Sequence, residues 1–274
     1  MFNGAIKTNG NRSVSRPKTF LHLVSLITCL VVHLASLLPA IADQPVHVLA
    51  TGVFATALQS LAPAFEASSG SQIQVLIANA GEVAARVVAG EAADVVMSSS
   101  AGIKTLAKQG ALVPDEVVIG RMRLGVAVSS GVAMPNLAST ETFRALLLSA
   151  DKVAYIDPNG GGTSGPFFEK MFVSLGMADA VHAKAVLCKT GADIVKAVAS
   201  GRATIGMTQA SEIVGADGVA FAGYLPDAQN LTTVYSASIA TGSKQAKAAS
   251  AFLAFVAGPG GSDRLRRAGW DIAP

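Results

Sequence analysis

The chain has 274 residues, 51% of them apolar and 14% charged, so a large buried core is available and disorder over its length is excluded. Of the 21 Lys+Arg, four (Lys7, Arg12, Arg16 and Lys18) fall in the first 42 residues, which hold no Asp or Glu; the remaining 17 face 18 acids. That near-neutral balance excludes the clustered basic surface that nucleic-acid binding requires.

Residues 1–42 read as an export signal: a basic stretch through Lys18, an apolar run over 20–38, then Ala40 and Ala42 at an Ala-x-Ala cleavage site. Cleavage would start the mature chain at Asp43 and deliver it to the periplasm without membrane insertion. Cys188 is then the one cysteine left, so no intramolecular disulfide forms, and its strand-like setting predicts a buried thiol.

From residue 46 short β-rich runs alternate with helical patterns, which predicts an α/β fold of mainly parallel sheets flanked by helices. In chain order the expected strands are 46–50, 72–78, 93–98, 120–128, 152–157, 183–188, 203–207 and 231–240. The expected helices are 55–68, 82–89, 103–109, 140–149, 166–175, 192–200 and 244–257. The long runs 120–128 and 231–240 are expected to cross between two lobes, 43–122 plus 232–274 forming lobe I and 123–231 lobe II.

Ligands of parallel sheets bind beyond the carboxyl ends of strands, where helices present free N–H groups. Four strand-to-helix loops combine small residues with hydroxyl or amide side chains: Thr51-Gly52-Val53-Phe54, Asn79-Ala80-Gly81, Asn159 to Gly165, and Thr208-Gln209-Ala210-Ser211-Glu212. Each also suits a plain helix cap. The glycine run 160–162 asks for more, because consecutive glycines lose much conformational entropy on folding. That loop lacks the Gly-Lys-Ser/Thr ending of a P-loop, and Pro166 replaces the second glycine of a nucleophile elbow around Ser164. His47 and His182 have no partners at ligand spacing, so no metal, cofactor or catalytic triad is expected. Arg121 and Arg123 alternate with Met122 and Leu124; facing inward, Arg121 would bind a carboxylate, and facing outward it would be a solvated side chain. Glu82 and Glu212 both suit helix N-termini.

Val46-His47-Val48-Leu49-Ala50, the segment 89–98 (Ala-Gly-Glu-Ala-Ala-Asp-Val-Val-Met-Ser) and the segment 199–206 (Ala-Ser-Gly-Arg-Ala-Thr-Ile-Gly) resemble the periplasmic molybdate-binding family of ABC-transporter receptors. The resemblance implies a type II periplasmic binding protein: two α/β lobes closing on a small anion, delivered as a monomer to a permease. The family's two ligand serines align with Val53 and Ala80 and its binding tyrosine with Gln209, which turns the expected ligand from molybdate or tungstate toward an organic carboxylate. The expected ligand-binding set is Thr51, Gly52, Asn79, Ala80, Ser99, Arg121, Thr163, Ser164, Gly165, Gln209 and Ser211. The glycine-rich loop and Gln209-Ala-Ser-Glu-Ile213 look like a divergent branch similar to bacterial aconitate isomerase. That likeness implies an alternative, a cofactor-independent isomerase with Glu212 as its base.

Overall fold

Strands and helices alternate from Val46 onward in a computed structural model that describes residues 1–5 and 44–272. The expected export signal, apart from its first five residues, lies outside the described residues. No described helix is long and apolar enough to cross a membrane.

The first half runs β1 (Val46–Thr51), α1 (Ala55–Ser69), β2 (Ile73–Ala78), α2 (Ala80–Val88), β3 (Val95–Ser99), α3 (Ser100–Lys108) and β4 (Val117–Ser129). Next come α4 (Thr140–Ser149), β5 (Val153–Ile156), α5 (Gly165–Ser174), α6 (Ala178–His182), β6 (Ala185–Cys188), α7 (Gly191–Ala199), β7 (Ile205–Gln209), α8 (Ala210–Ile213), β8 (Val219–Tyr224), β9 (Thr232–Ile239), α9 (Ala246–Ala257) and α10 (Pro259–Arg267). The helix ends follow local chemistry. Gly70, at φ +76°, ends α1 in the left-handed conformation that residues with a Cβ resist. Ser139 and Thr142 form a reciprocal capping box at the start of α4.

The strand order is β2-β1-β3-β9-β4-β7-β5-β6, with β8 added on β4. β1 runs parallel to β2 and β3, and β5 parallel to β6 and β7. β4 joins these two parallel sets and runs antiparallel to all its partners. Its residues up to Arg123 pair with β9, and from Leu124 onward it pairs with β7 and β8.

The expected strand over 231–240 is present as β9. Among the described residues β9 pairs with β3 and the first part of β4, and Pro226 and a short 3-10 turn over Asp227–Gln229 separate it from β8. Asn230 pins that return: its Oδ1 accepts from Leu124 N–H at 2.9 Å and its Nδ2 donates to Leu124 and Leu225 carbonyls. The sequence reading also omits α6, α8, β8 and α10. α10 opens on Pro-Gly-Gly, residues that argue against a helix interior yet suit its first turn. A Cβ on Gly261 would fall 2.1 Å from the Val256 carbonyl oxygen, so the glycine lets α10 pack against the end of α9.

Burial separates into two pairs of apolar clusters. One pair, around Phe54, Phe252 and Trp270 and around Val83, Val96 and Leu106, is drawn from 46–122 and 235–270 with Ala210. The other, around Phe143, Tyr155 and Phe172 and around Ile194 and Val198, is drawn from 124–225. Phe54 stacks on Trp270 at 4.7 Å and meets Tyr235 edge-on at 5.7 Å, an arrangement that fixes the Tyr235 ring. Cys188 is a buried free thiol, as expected, and burial pushes its pKa up.

Candidate functional site

Six parallel strands deliver their carboxyl ends to one cavity of about 440 Å³. β1 ends at Thr51, β2 is followed by Asn79, and β3 ends at Ser99; β5, β6 and β7 are followed or ended by the 157–164 loop, Lys189-Thr190 and Gln209. Each strand passes into a helix or a 3-10 turn, so several helix N-termini converge there with N–H groups that have no partner within their own helices.

The capping side chains fit this geometry. Asn79 Oδ1 accepts from Glu82 N–H at 2.9 Å, leaving its amide group to donate elsewhere. Ser99 Oγ accepts from Gly102 N–H at 3.2 Å, leaving its hydroxyl proton to donate. Ser164 caps α5 without a side-chain hydrogen bond and is only 3% exposed.

Two lining residues carry buried polar atoms with no hydrogen-bond partner: Thr51 Oγ1, and both Nε2 and Oε1 of Gln209. Leaving buried donors and acceptors unpaired is destabilising, by about 1–3 kcal/mol each. Three such atoms in the wall of one cavity therefore point to a polar ligand.

Glu212 sits on α8, four residues after Thr208, whose hydroxyl donates to its Oε2 at 2.5 Å. The carboxyl occupies space that only glycines leave open: a Cβ on Gly191 would lie 2.1 Å from Oε2, and one on Gly52 2.5 Å from Oε1. Loss of hydration raises the Glu212 pKa above the usual carboxylate value, partly offset by hydrogen bonds from Thr208 and the Gln209 backbone. Tyr235, from β9, lines the same cavity and is 3% exposed. Its pKa is raised by burial first and by the Glu212 carboxyl second, while the Thr163 side chain opposes the shift.

Of the expected site residues, Thr51, Gly52, Asn79, Ala80, Ser99, Thr163, Ser164, Gln209 and Glu212 all line the cavity. Three do not. Gly165 packs against backbone, a Cβ there falling 2.8 Å from the Asp157 carbonyl oxygen. Ser211 donates its hydroxyl to Val53 O at 2.8 Å and so ties α8 to the turn after β1. Arg121 is exposed and borders a different concavity with Asp271 and Arg266. The reason is strand parity: Met122 and Leu124 take the buried face of β4, which turns Arg121 and Arg123 outward. Arg123 pairs with Asp227 and lies 4.6 Å over the Tyr224 ring.

Lysines 189 and 196, Thr190, Gly191, Thr56 and Tyr235 also line the cavity without having been expected there. For Lys189-Thr190-Gly191 a signal existed, since this is a fifth strand-to-helix loop built of small and hydroxyl residues. Tyr235 offered none, because its position depends on the register of β9. Across the rim, Gly81 N–H donates to Gly161 O at 2.9 Å. Gly161 has φ +78° and a Cβ on Gly81 would meet its Cα at 3.1 Å, so both positions favour glycine. Among the described residues no group of three His, Cys, Asp or Glu could hold a metal ion.

Residues 46–271 match the sequence profile of the family described as bacterial extracellular solute-binding protein. The chain is 27% identical to an aconitate isomerase from Pseudomonas sp over 246 residues, 86% of this chain and 92% of that protein. Among solved structures, the periplasmic molybdate-binding protein of Azotobacter vinelandii superposes with a TM-score of 0.72 at 21% identity, over 84% of this chain and all of that one. The sulfate-binding protein of Mycobacterium tuberculosis H37Rv does so with a TM-score of 0.69 at 16% identity, over 85% and 88% of the two chains. At such identities the structures speak for the fold, that of type II periplasmic binding proteins. The profile spans both cores and every strand end that reaches the cavity: the chain belongs to the bacterial extracellular solute-binding protein family.

Proposed function

We propose that the protein is a periplasmic receptor that captures a small organic carboxylate in the cavity described above, by closure of two lobes, for an ABC-transporter permease. The lobes would divide near residues 122 and 231. The observation that carries the reading is the set of unpartnered buried atoms on Thr51 and Gln209 in a cavity ringed by helix N-termini. Such donors stabilise an anion without a fixed counter-charge.

Volume and chemistry favour carboxylates over molybdate. About 440 Å³ is far more than a tetrahedral oxyanion fills, and lies in the range of sites for small organic ligands, about 300–1,000 Å³. Gln209 Oε1 is an unpaired acceptor, which an oxyanion without protons cannot satisfy and a hydroxyl- or carboxyl-bearing acid can. The test is thermal unfolding of the protein starting at Asp43 with molybdate, tungstate, sulfate and a series of di- and tricarboxylates, since a ligand of the folded state raises the Tm. A shift with a carboxylate is expected. A shift with molybdate or tungstate alone overturns the reading.

A second reading has one specific support, Glu212 in the cavity wall together with the likeness to an aconitate isomerase. A carboxylate there takes an allylic proton from a bound tricarboxylate, the double bond shifts in the resulting delocalised anion, and the same carboxyl returns the proton at the other carbon. A pKa held up by burial suits a base that must hold the proton between the two steps. Incubation of the protein with cis-aconitate and chromatography of the product separate receptor from isomerase. Glu212→Gln should remove turnover and leave binding.

A further inference from the structure

Lys189 and Lys196 are the two basic residues that line the cavity. Both are exposed. Among the described residues neither forms an ion pair, although seven other such pairs are present. Lys189 follows β6, and Lys196 lies on α7 beside Ala192 and Val195, which also line the cavity. Residues 192, 195 and 196 have the spacing of one helix face. On α7 the lining residues Ala192, Val195 and Lys196 follow Gly191, against which the Glu212 carboxyl lies, and Lys189 lines the cavity just ahead of that helix.

Elsewhere the cavity is lined by the neutral donors Thr51 and Ser99. We infer that Lys189 and Lys196 form a separate cationic subsite, so the ligand carries at least two carboxylates on a short carbon chain, one on the neutral donors and one facing the lysines. This rests on the carboxylate reading and adds a count of charges to it. Chemically, the neutral end recognises shape, because fixed N–H and O–H donors tolerate little displacement. The lysine end recognises charge at longer range and is sensitive to salt.

The experiment is calorimetric titration of the wild-type protein and of Lys189→Gln/Lys196→Gln with butyrate, succinate and tricarballylate, at low ionic strength and again in strong salt. Exposed lysines leave the fold intact when changed, and a melting curve checks that. The variant is expected to lose about tenfold in affinity for tricarballylate, somewhat less for succinate, and less than twofold for butyrate, with the differences shrinking in strong salt. Equal losses for all three, or none, overturn the cationic subsite while the carboxylate reading stands. If the wild-type protein binds none of the three, the carboxylate reading fails and the subsite fails with it.

Discussion

The two walls of the cavity are built on the same principle and differ in charge. On the β1–β3 side, Thr51, Asn79, Ser99 and the turn at Gly52 contribute hydroxyl, amide and backbone groups and no ionisable side chain. On the β5–β7 side the strand ends carry the same small polar residues and also Lys189, Lys196 and Glu212. Neutral donors at helix N-termini suit any small anion, because the field they supply depends on backbone geometry alone. In the proposed cationic subsite, the charged side chains restrict which anion fits, by its number of charges and their spacing. On the proposed carboxylate reading, one wall supplies anion binding in general and the other supplies specificity.

The sharpest way to break this division is at Gln209, the one lining residue with two unpartnered buried atoms. Gln209→Leu keeps the volume and removes both. Hydrogen bonds to a charged partner are worth roughly 1.5–3 kcal/mol, so affinity for the ligand should fall about a hundredfold by titration calorimetry. The same change should raise the Tm of the ligand-free protein, since an unsatisfied buried amide is replaced by an apolar group. Affinity and stability moving in opposite directions marks a ligand group; a drop in both would make Gln209 structural. On the neutral wall Thr51→Val repeats the experiment with a single orphaned hydroxyl, and about a tenfold loss with an unchanged or higher Tm is expected.

The contrast between the walls also tracks what could be read in the sequence. Alternation of β-rich and helical segments located every strand except β8, and the rule that ligands sit beyond strand ends led to Thr51, Asn79, Ser164 and Gln209, all of which line the cavity. Those positions are legible because they are local: a residue between a strand and a helix has its location fixed by its neighbours. Arg121 was not, because its direction depends on which face of β4 meets the core, and Met122 and Leu124 win that face. Tyr235 sits mid-strand, brought to the cavity by the pairing of β9 with β3 and β4. Glu212 was legible as a helix-start acid, but not its seat against Gly52 and Gly191, residues 160 and 21 positions away in sequence.

On the charged wall, pH gives a smaller and differently shaped effect. Burial raises the Glu212 pKa in the folded state, so above the ordinary carboxylate pKa the folded protein holds a proton that the unfolded chain has released. Stability therefore falls as pH rises from that ordinary value, about 4.3, through the higher folded value, and is level beyond it. Glu212→Gln removes the dependence. Its Tm should exceed that of the wild type at about pH 8 and converge with it near pH 4, read by calorimetry in both buffers. A variant less stable at both pH values would place the worth of Glu212 in its bond from Thr208 rather than in ligand chemistry.

Two changes should do least, and they complete the comparison. Asn79→Ala removes the cap on Glu82 N–H, a change that lowers stability by about 1 kcal/mol, and it takes one amide donor from the neutral wall. Because backbone N–H groups remain there, ligand affinity should fall only a few-fold. Arg121→Ala tests whether charge outside the cavity matters at all. The side chain borders a separate concavity, and the residue's link to Asp271 is made by backbone, Arg121 N–H donating to Asp271 O at 2.8 Å. Alanine keeps that bond, so the Tm should hold. A lone exposed cation beyond the cavity acts on the ligand only through screened solvent, so carboxylate affinity should change less than twofold. A loss as large as that of Gln209→Leu would move the charge partner from Lys189 and Lys196 to β4 and erase the distinction between the two walls.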